Sequence, residues 1–393
     1  MQMDTIELFA GGGGLALGLH EAGFSPVAVV ERDADSCETL RTNWHAGMGA
    51  KINLFNADIR DVEFKDWKDR VELVSGGPPC QPFSIGGKAR GHQDERDMFP
   101  RAVQVVRTVR PKAFVFENVR GLLRKSFAKY FAYILLQLQY PELTRRDGET
   151  WPGHHARLEE HHTGGVEHGL RYRVLFQKVN AADFGVPQQR ERVVIVGFRW
   201  DIKERWSFPL ATHSQDGLEA AKWLTGSYWE EHGVPRSRRS EPPADIERNF
   251  AKIETLQLSA RWRTVRDAFV GLPDPRSPEA SKFANHKFQP GARKYTGHTG
   301  SDLDSPAKTL KAGDHGVPGG ENMLAFADSS TRYFTVRESA RLQTFPDWYI
   351  FPSSWTESMR QIGNAVPVTL ARVIGASVAQ TLQEHARRKS RDQ

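Results

Sequence analysis

The chain has 393 residues, 39% of them hydrophobic and 26% charged, which is typical of a globular protein with room for two domains. No apolar run approaches 18 residues and the N-terminus lacks a basic region and a cleavage site, so we expect neither a membrane span nor a signal peptide. Two cysteines provide no disulfide framework, which fits a cytoplasmic protein, and the net charge of +6 permits a polyanionic partner.

The first elements are a strand, a glycine turn and a helix. The strand Thr5–Phe9 leads into a run of glycines: Gly11, Gly13 and Gly14. A second strand, Val27–Val30, ends in Glu31, where an acidic side chain suits the two hydroxyls of a ribose. This order predicts a cradle for an adenosine-containing cofactor, although a tight turn without a ligand has the same glycine spacing.

The next two strands each end in a reactive side chain. Strand Ile52–Phe55 is followed by Asp58, which is placed either to accept from an adenine amino group or to close a turn. The apolar run Val71–Val74 is a buried strand that stops at Gly-Gly-Pro-Pro, directly before Cys80. A thiol fixed on a rigid turn at a sheet edge favours a nucleophile over a structural buried cysteine.

A flexible basic loop, Gly86–His92, and a helix within 94–109 come next. The fifth strand, Ala113–Phe116, then delivers Glu117 to the same sheet edge as Cys80. Burial favours the protonated form of such a carboxyl, which suits a general acid. The alternative is a glutamate paired with a neighbouring base.

A helix is predicted over 122–140, and residues 141–170 are polar and rich in histidine. We expect a solvated insertion loop there, because the histidine spacing matches no zinc pattern. Strands Tyr172–Phe176 and Val193–Val196 flank Arg190 and Arg192, whose alternation places them on one face as an anion or carbonyl clamp, or as a surface ion-pair ladder.

From about residue 201 the alternation of helix and strand stops, and tryptophans and basic residues collect. The basic candidates for a nucleic-acid surface are Arg236, Arg238, Arg239, Arg261 and Arg263, although an ordinary solvated face is the competing interpretation. Regular structure resumes with a capping box formed by Thr335 and Glu338. A final amphipathic helix follows, and its basic end, Arg387–Arg391, is predicted to fray.

Six motifs in this order resemble those of the DNA cytosine-C5 methyltransferases. They are Phe9-x-Gly11-x-Gly13-Gly14, Pro79-Cys80-Gln81, Glu117-Asn118-Val119, Gln188-x-Arg190-x-Arg192, Arg341-Leu342-Gln343-x-Phe345-Pro346 and Gly363-Asn364-x-Val366. Glu7 stands where the family often has Asp, and Ala365 where Ser is common. The resemblance implies a Rossmann-like α/β fold with a mixed, mostly parallel sheet, and a smaller, irregular DNA-recognition domain.

The resemblance also implies a domain plan and a reaction. Residues 1–200 would form the catalytic and cofactor domain, about 201–315 the recognition domain, and 316–393 a segment that returns to complete the catalytic domain. The enzyme would transfer a methyl group from S-adenosylmethionine, leaving S-adenosylhomocysteine, to C5 of a flipped cytosine in a specific double-stranded DNA sequence. No metal is expected.

Residue roles follow from the same resemblance. Cys80 would add to C6 of the base, Glu117 would stabilise charge at N3, and Arg192 would hold O2 with support from Arg190. The remaining cofactor residues would be Phe9, Gly11, Gly13, Gly14, Glu31, Asp58, Ile59, Pro78, Asn364 and Ala365. The loop after Cys80 would close over the DNA through Ser84, Lys88 and Arg90.

Three other functions compete with this one. An NAD(P)-dependent enzyme would leave Cys80 and Glu117 without a role, and a catalytically dead DNA-binding protein would not need them. An RNA (tRNA) cytosine methyltransferase is the main alternative, although many of those enzymes use a second catalytic cysteine. We expect a monomer working on double-stranded DNA as the modification enzyme of a restriction-modification system, with a cognate endonuclease as a possible partner.

Overall fold

The computed structural model describes residues 3–44, 52–79, 97–165, 169–244, 246, 259–294, 296, 299–312 and 322–392. Contacts divide the chain into two compact units. Unit 1 comprises 1–179, 191–208 and 371–393, and unit 2 comprises 180–190 and 209–370. Residues 316–370 thus group with the middle of the chain in this division, whereas 371–393 group with the N-terminal part; the domain boundaries given above stay a prediction.

Unit 1 is built on a seven-stranded sheet. Its strands are β1 (Met3–Leu8), β2 (Phe24–Glu31), β3 (Leu54–Asn56), β4 (Leu73–Gly76), β5 (Ala113–Val119), β6 (Tyr172–Asn180) and β7 (Glu191–Arg199), in the order β3-β2-β1-β4-β5-β7-β6. The pairs from β3 to β5 are parallel and β7 is antiparallel to β5. The predicted mostly parallel α/β fold is confirmed.

Apolar strands with helices against the sheet form the core of unit 1. The helices are α1 (Gly14–Glu21), α2 (Ala34–Asn43), α3 (Phe99–Val109), α4 (Ala128–Gln139) and α5 (Trp151–Thr163). Helix α3 shows how sequence sets this packing, because its valines at 103, 106 and 109 recur at helical spacing and are buried. Phe114 and Phe116 of the sheet are fully buried and belong to the same apolar core as these valines.

Several predicted boundaries were wrong by a few residues. Helix α3 begins at Phe99, and two short 3₁₀ turns occupy Arg120–Leu123 and Lys125–Phe127 where the sequence predicted one long helix. Strand β5 continues through Glu117 and Asn118 as far as Val119, because both polar side chains find partners at the sheet edge.

The prediction of a solvated loop at 141–170 was wrong for its centre, which is helix α5 packed on α4. His154 is buried in the contact: its Nδ1 accepts from the Tyr133 hydroxyl at 2.9 Å and its Nε2 donates to the carbonyl of Leu143 at 2.7 Å. Burial lowers the pKa of His154, which keeps the ring neutral in this pairing. The histidine therefore serves packing, a role that polarity counts cannot reveal.

Unit 2 consists of short elements. They are β8 (His213–Ser214), α6 (Gln215–Glu219), a π-helical turn (Ala220–Leu224), α7 (Ser227–Glu231), β9 (Ala260–Arg261), α8 (Val265–Phe269), β10 (Ser301–Asp302), β11 (Met323–Ala325), β12 (Thr331–Tyr333), α9 (Val336–Leu342) and α10 (Trp355–Asn364). The capping box predicted at Thr335 and Glu338 begins α9. Tyr228, Trp229 and Trp262 lie in one apolar cluster.

The last helix, α11, runs from Val368 to Arg391. Its predicted apolar face is buried at Leu370, Ile374, Val378 and Leu382. The prediction that the basic end frays was wrong, because α11 stays helical to Arg391. The stretch 355–391 passes a length and apolarity test for a membrane span, but 67% of its most apolar window is buried inside the protein, as in a core helix.

Candidate active site

The glycine turn after β1 holds an unusual backbone. Phe9 has a φ of 55°, and Gly11 and Gly13 have φ of 51° and 82°. A left-handed conformation is strained for phenylalanine, and such strain is found at functional sites. A Cβ added at Gly11 would meet no atom within 4 Å, so the turn borders open space. Gly13 caps α1 without a side-chain hydrogen bond, and Gly14 begins the helix. The turn therefore forms a cradle at a helix N-terminus.

Glu31 ends β2 beside this cradle, as the sequence predicted. Its Oε2 accepts from the amide of Gly11 at 2.8 Å and its Oε1 from the amide of Asp33 at 2.8 Å. The Cys37 thiol donates to the backbone carbonyl of Glu31 at 3.3 Å. A carboxylate has about four lone-pair sites, so Glu31 keeps acceptor capacity for hydroxyl donors.

Asp58 and Ile59 lie beyond β3. Asp58 caps the 3₁₀ turn Ile59–Asp61 and accepts from the Arg60 backbone and guanidinium, with a closest ion-pair distance of 2.7 Å. The hydrogen bonds from Arg60 lower the pKa of Asp58 to about 2. Ile59 is buried. These contacts support the alternative in which Asp58 closes a turn. Its role as an acceptor for an adenine amino group stays a prediction.

The chain leaving β4 passes close to two neighbouring strands. A Cβ at Gly76 would lie 2.4 Å from the carbonyl oxygen of Leu8, and one at Gly77 would lie 3.7 Å from the Glu117 carboxylate. The Asn118 amide donates to the carbonyl of Pro78 at 2.8 Å. This run, Gly76–Pro79, is therefore held against the end of β5. Cys80, Ser84, Lys88 and Arg90 follow it and lie outside the described residues.

Glu117 and Arg192 face each other across the β5–β7 pair. The Arg192 Nε lies 2.7 Å from Glu117 Oε1, and about a tenth of each side chain is exposed. Arg192 also donates to the carbonyl of Glu191 at 2.8 Å. Burial lowers the pKa of Arg192, while Glu117 opposes that shift. A carboxyl and a guanidinium at one sheet edge offer the paired groups that a planar heterocycle with a ring nitrogen and a carbonyl requires.

Glu7 is a buried acid on β1 that lies beside Ser75, the residue before the Gly76–Pro79 run. It is 1% exposed, is the register partner of Ser75 on β4, and accepts a hydrogen bond from the Ser75 hydroxyl. Burial raises the pKa of Glu7 to about 8, against the smaller opposing effect of Ser75. The side chain is thus neutral at pH 7 and pins β1 to β4.

The protonated state of Glu7 predicts a pH-dependent stability. Between its ordinary pKa of 4.5 and about 8 the folded protein holds a proton that the unfolded chain has released, so stability falls as pH rises. Glu7→Gln keeps the acceptor for the Ser75 hydroxyl but has no titrating proton. As pH rises, the free energy of unfolding of the wild type should therefore fall relative to that of Glu7→Gln, by up to about 1.4 kcal/mol per pH unit. Urea unfolding from pH 5 to 8 measures this difference. Exposed Glu38→Gln is the control, and a parallel pH profile for Glu7→Gln would contradict the assignment.

Arg190, whose support of Arg192 stays a prediction, belongs to unit 2 and makes its contacts there. It precedes β7, so strand alternation does not govern its direction. Its guanidinium is fully buried and donates to the carbonyls of Leu310 (3.0 Å), Gly363 (2.7 Å) and Ala365 (2.9 Å). These contacts make it a positioning residue for the turn after α10, rather than a group open to a ligand.

Two glutamines from the predicted motifs, to which the sequence analysis assigned no role, complete this network. Gln343 donates to the carbonyls of Ile362 (2.7 Å) and Ala365 (3.2 Å), and Gln188 donates to Gln343 Oε1 at 3.2 Å. Asn364 ends α10 with its side chain exposed, and Ala365 is buried. Three sequence motifs therefore meet at the Gly363–Ala365 turn. Polar residues within otherwise apolar stretches of these motifs could have indicated the buried network from the sequence. The same holds for Asn118, which follows Glu117.

The five arginines predicted to contact DNA fall into two groups. Arg236, Arg238 and Arg263 are exposed. Arg239 donates to the carbonyl of Val234 at 3.0 Å, and Arg261 pairs with Asp267 at 2.7 Å and with Glu231 at 2.9 Å. Arg239 and Arg261 thus already bond to groups within unit 2. The three exposed arginines are therefore the better candidates to contact a ligand.

The fold is α/β with a mostly parallel sheet, and the candidate site lies where β1, β2, β4 and β5 end. The chain belongs to the family described as C-5 cytosine-specific DNA methylase, whose profile matches residues 3–140 and 165–380. It is therefore an S-adenosylmethionine-dependent enzyme that methylates cytosine in DNA, and the expectation from its motifs is confirmed. The unmatched residues between these ranges contain α5.

Known relatives agree along nearly the whole chain. It is 31% identical over 380 residues to the type II methyltransferase M.PspPI of Psychrobacter sp. (strain TA137), covering 96% of this chain and 79% of the relative. It is 32% identical over 387 residues to M.Sau96I of Staphylococcus aureus, covering 97% and 76%.

Solved structures share the fold. An Escherichia coli prophage-encoded protein assigned as a DNA modification methyltransferase superposes with a TM-score of 0.61 at 20% identity, covering 97% of this chain and all of that one. The Schizosaccharomyces pombe Dnmt2 methyltransferase superposes with a TM-score of 0.58 at 18% identity, covering 98% and 99%.

Proposed function

We propose that this enzyme methylates C5 of one cytosine in a specific double-stranded DNA sequence, with Cys80 as the nucleophile. The observation that carries the proposal is the Glu117–Arg192 pair, 2.7 Å apart, beside the Gly76–Pro79 run that leads into Cys80. A carboxyl and guanidinium pair at the edge where the chain leads towards Cys80 suits the addition of a thiol to a pyrimidine ring.

The cradle in unit 1 fits S-adenosylmethionine. The charged amino-acid part of the cofactor would bind at Gly11, Gly13 and the N-terminus of α1, which has no side-chain cap. Glu31 would accept from the ribose hydroxyls. Phe9, Gly14, Asp58, Ile59 and Pro78 line the same strand ends and stay candidates for its other contacts. The cofactor supplies an electrophilic methyl group when bound. Asn364 and Ala365 stay predicted contributors from unit 2.

The residues of unit 1 suggest how the base is activated. The Cys80 thiolate adds to C6 of cytosine, which makes C5 nucleophilic enough to take a methyl group. Glu117, protonated when the base is bound, stabilises the charge that builds at N3, and Arg192 holds the O2 carbonyl. Water then takes the C5 proton, the electron pair of that C–H bond re-forms the C5–C6 double bond, and the C6–S bond breaks to release Cys80 as a thiolate.

This chemistry needs a base outside the helix, since C6 is covered by neighbours within a stacked duplex. Flipping the target costs a few kcal/mol of stacking and pairing. We infer that Ser84, Lys88 and Arg90, in the loop after Cys80, contact the DNA as it closes over the flipped base. That loop is rich in glycine and carries the basic residues that phosphate contacts require.

Methyl transfer to defined nucleic acids tests the proposal. The enzyme is incubated with methyl-labelled S-adenosylmethionine and either duplex DNA, tRNA or no nucleic acid, and the DNA is then sequenced after bisulfite treatment. We expect label in DNA alone, at one cytosine within a recurring sequence. Label in tRNA instead would support the RNA alternative and overturn the DNA assignment.

Glu31 gives a test of the cofactor cradle. Glu31→Ala removes an acceptor for two ribose hydroxyls and also frees the amides of Gly11 and Asp33. We expect the affinity for S-adenosylmethionine to fall by about 1.5–3 kcal/mol, as for a charge-assisted hydrogen bond. Calorimetry measures it, with Glu38→Ala on the exposed face of α2 as the control. Unchanged affinity would remove Glu31 from the site.

The arginines of unit 2 separate by their existing contacts. Arg238→Ala and Arg263→Ala should weaken DNA binding, by about 1–3 kcal/mol for the target sequence alone if they read bases. Arg261→Ala should act mainly on stability, because Asp267 and Glu231 already occupy its guanidinium. Affinities for target and scrambled duplexes at two salt concentrations decide this. Equal losses for Arg261 and Arg238 would contradict the division.

We further propose that the enzyme works as a monomer in the cytoplasm, as the modification half of a restriction-modification system. The similarity to type II methyltransferases supports this role. An endonuclease that cuts the sequence found by bisulfite analysis, and that is blocked by its methylation, would be the partner.

A further inference from the structure

A basic cavity lies at the end of unit 1 away from the reactive edge. It has a volume of about 970 Å³ and is lined by Lys112, Arg199, Asp201 and one face of the end of α11. Lys112 directly precedes β5, and Arg199 ends β7, whose Phe198 is the register partner of Ala113. Glu117 lies five residues further along β5, about 16 Å away at 3.3 Å per residue.

The charge of this cavity is only partly compensated. Arg199 pairs with Asp201 at 2.8 Å and Lys112 with Glu72 at 3.0 Å. Three more cations from the end of α11 line the cavity: Arg387, Lys389 and Arg391. All three are exposed, and no carboxylate in the described chain pairs with them.

The lining also indicates the class of ligand. Pockets for small organic molecules are mostly apolar, but Ala386 is the one hydrophobic residue in this lining. Arg387 and Arg391 are one helical turn apart on the same face of α11, so both guanidinium groups can follow one chain of anionic groups. Arginine forks match phosphate oxygens, and the enzyme works among DNA phosphates at high local concentration.

We propose that this cavity binds the phosphate backbone of a second segment of duplex DNA while the reactive edge holds the target. The choice of duplex DNA as the ligand depends on the proposed function, whereas the location of the cavity does not. An enzyme with two DNA surfaces at opposite ends of one sheet can bridge two duplexes, which allows transfer between segments during the search for a target sequence.

A bridging experiment tests the proposal with the full-length enzyme. A duplex is fixed to beads, the enzyme is added at low salt, and the capture of a labelled free duplex is measured. We expect Arg387→Gln/Arg391→Gln to bind the beads but to lose most of the capture. Its binding to free duplex should also show a shallower salt slope, by up to about 2, because two phosphate contacts are lost.

The matched control removes the same charge from the same helix. Arg372 pairs with Glu21 and Arg388 with Glu204, and neither lines the cavity. Arg372→Gln/Arg388→Gln should therefore capture the free duplex as the wild type does. Single Arg391→Gln, at the exposed helix end, should lose part of the capture and guards against misfolding of the double variant.

Three outcomes would overturn the proposal: a wild type that captures no second duplex, a cavity variant that captures as well as the wild type, or an equal loss in the control. Methyl transfer to a short duplex should be normal in all variants, so failure of the proposed function would appear separately. If the cations served only the dipole at the end of α11, thermal stability would fall and capture would not.

Discussion

Replacing Cys80 with serine is expected to reduce methyl transfer at least about 10³-fold. A serine hydroxyl is far less ionised than a thiol at neutral pH and is a weaker nucleophile, so addition to C6 of the base becomes the barrier. DNA binding should survive, because Glu117, Arg192 and the basic surface are unchanged. Methyl transfer is measured with labelled cofactor, and DNA affinity in parallel.

Cys37 provides the control for this substitution. Its thiol is fully buried, donates to the carbonyl of Glu31, and has a pKa raised to about 12 by burial first and then by Glu31. Cys37→Ser keeps a donor at that position and should leave the chemical step intact. Wild-type rates in Cys80→Ser, or an equal loss in Cys37→Ser, would remove Cys80 as the nucleophile.

Arg190→Met should cost about 3–5 kcal/mol of the stability of unit 2. The guanidinium satisfies three carbonyls, those of Leu310, Gly363 and Ala365, and no water reaches this fully buried group. Methionine fills similar space but removes the donor to the carbonyls of Leu310 and Gly363, each at a cost of about 1–3 kcal/mol before relaxation, and leaves Ala365 with Gln343 alone. Urea unfolding followed by tryptophan fluorescence measures the loss.

The control for Arg190 is an arginine whose ion pair is exposed. Arg276 pairs with Asp274 at 2.8 Å, and 62% of its side chain is exposed, so Arg276→Met should change stability by no more than about 1 kcal/mol. Arg190→Lys should fall between, since an ammonium group reaches fewer of the three carbonyls. If Arg190→Met is as stable as Arg276→Met, the network does not hold the Gly363–Ala365 turn.

Local patterns in the sequence determined the strands and the order of the reactive groups. Short apolar runs separated by glycine turns and helical stretches predict a parallel sheet. The polar residue that follows each apolar run lies at or near the strand end, which located Glu31 and Glu117. The capping box at Thr335 and Glu338 was also predictable, because it depends on side chains three residues apart. Motif order along the chain then identified the chemistry.

Contacts between distant residues decided the rest. Arg190 and Arg192 are two positions apart, yet one binds carbonyls more than a hundred residues away and the other binds Glu117. His154 of α5 is buried and hydrogen-bonded to Tyr133 of α4, and the charge state of Glu7 depends on burial beside Ser75. A polar side chain takes its role from the partner that compensates its lost hydration, and only the folded chain supplies that partner.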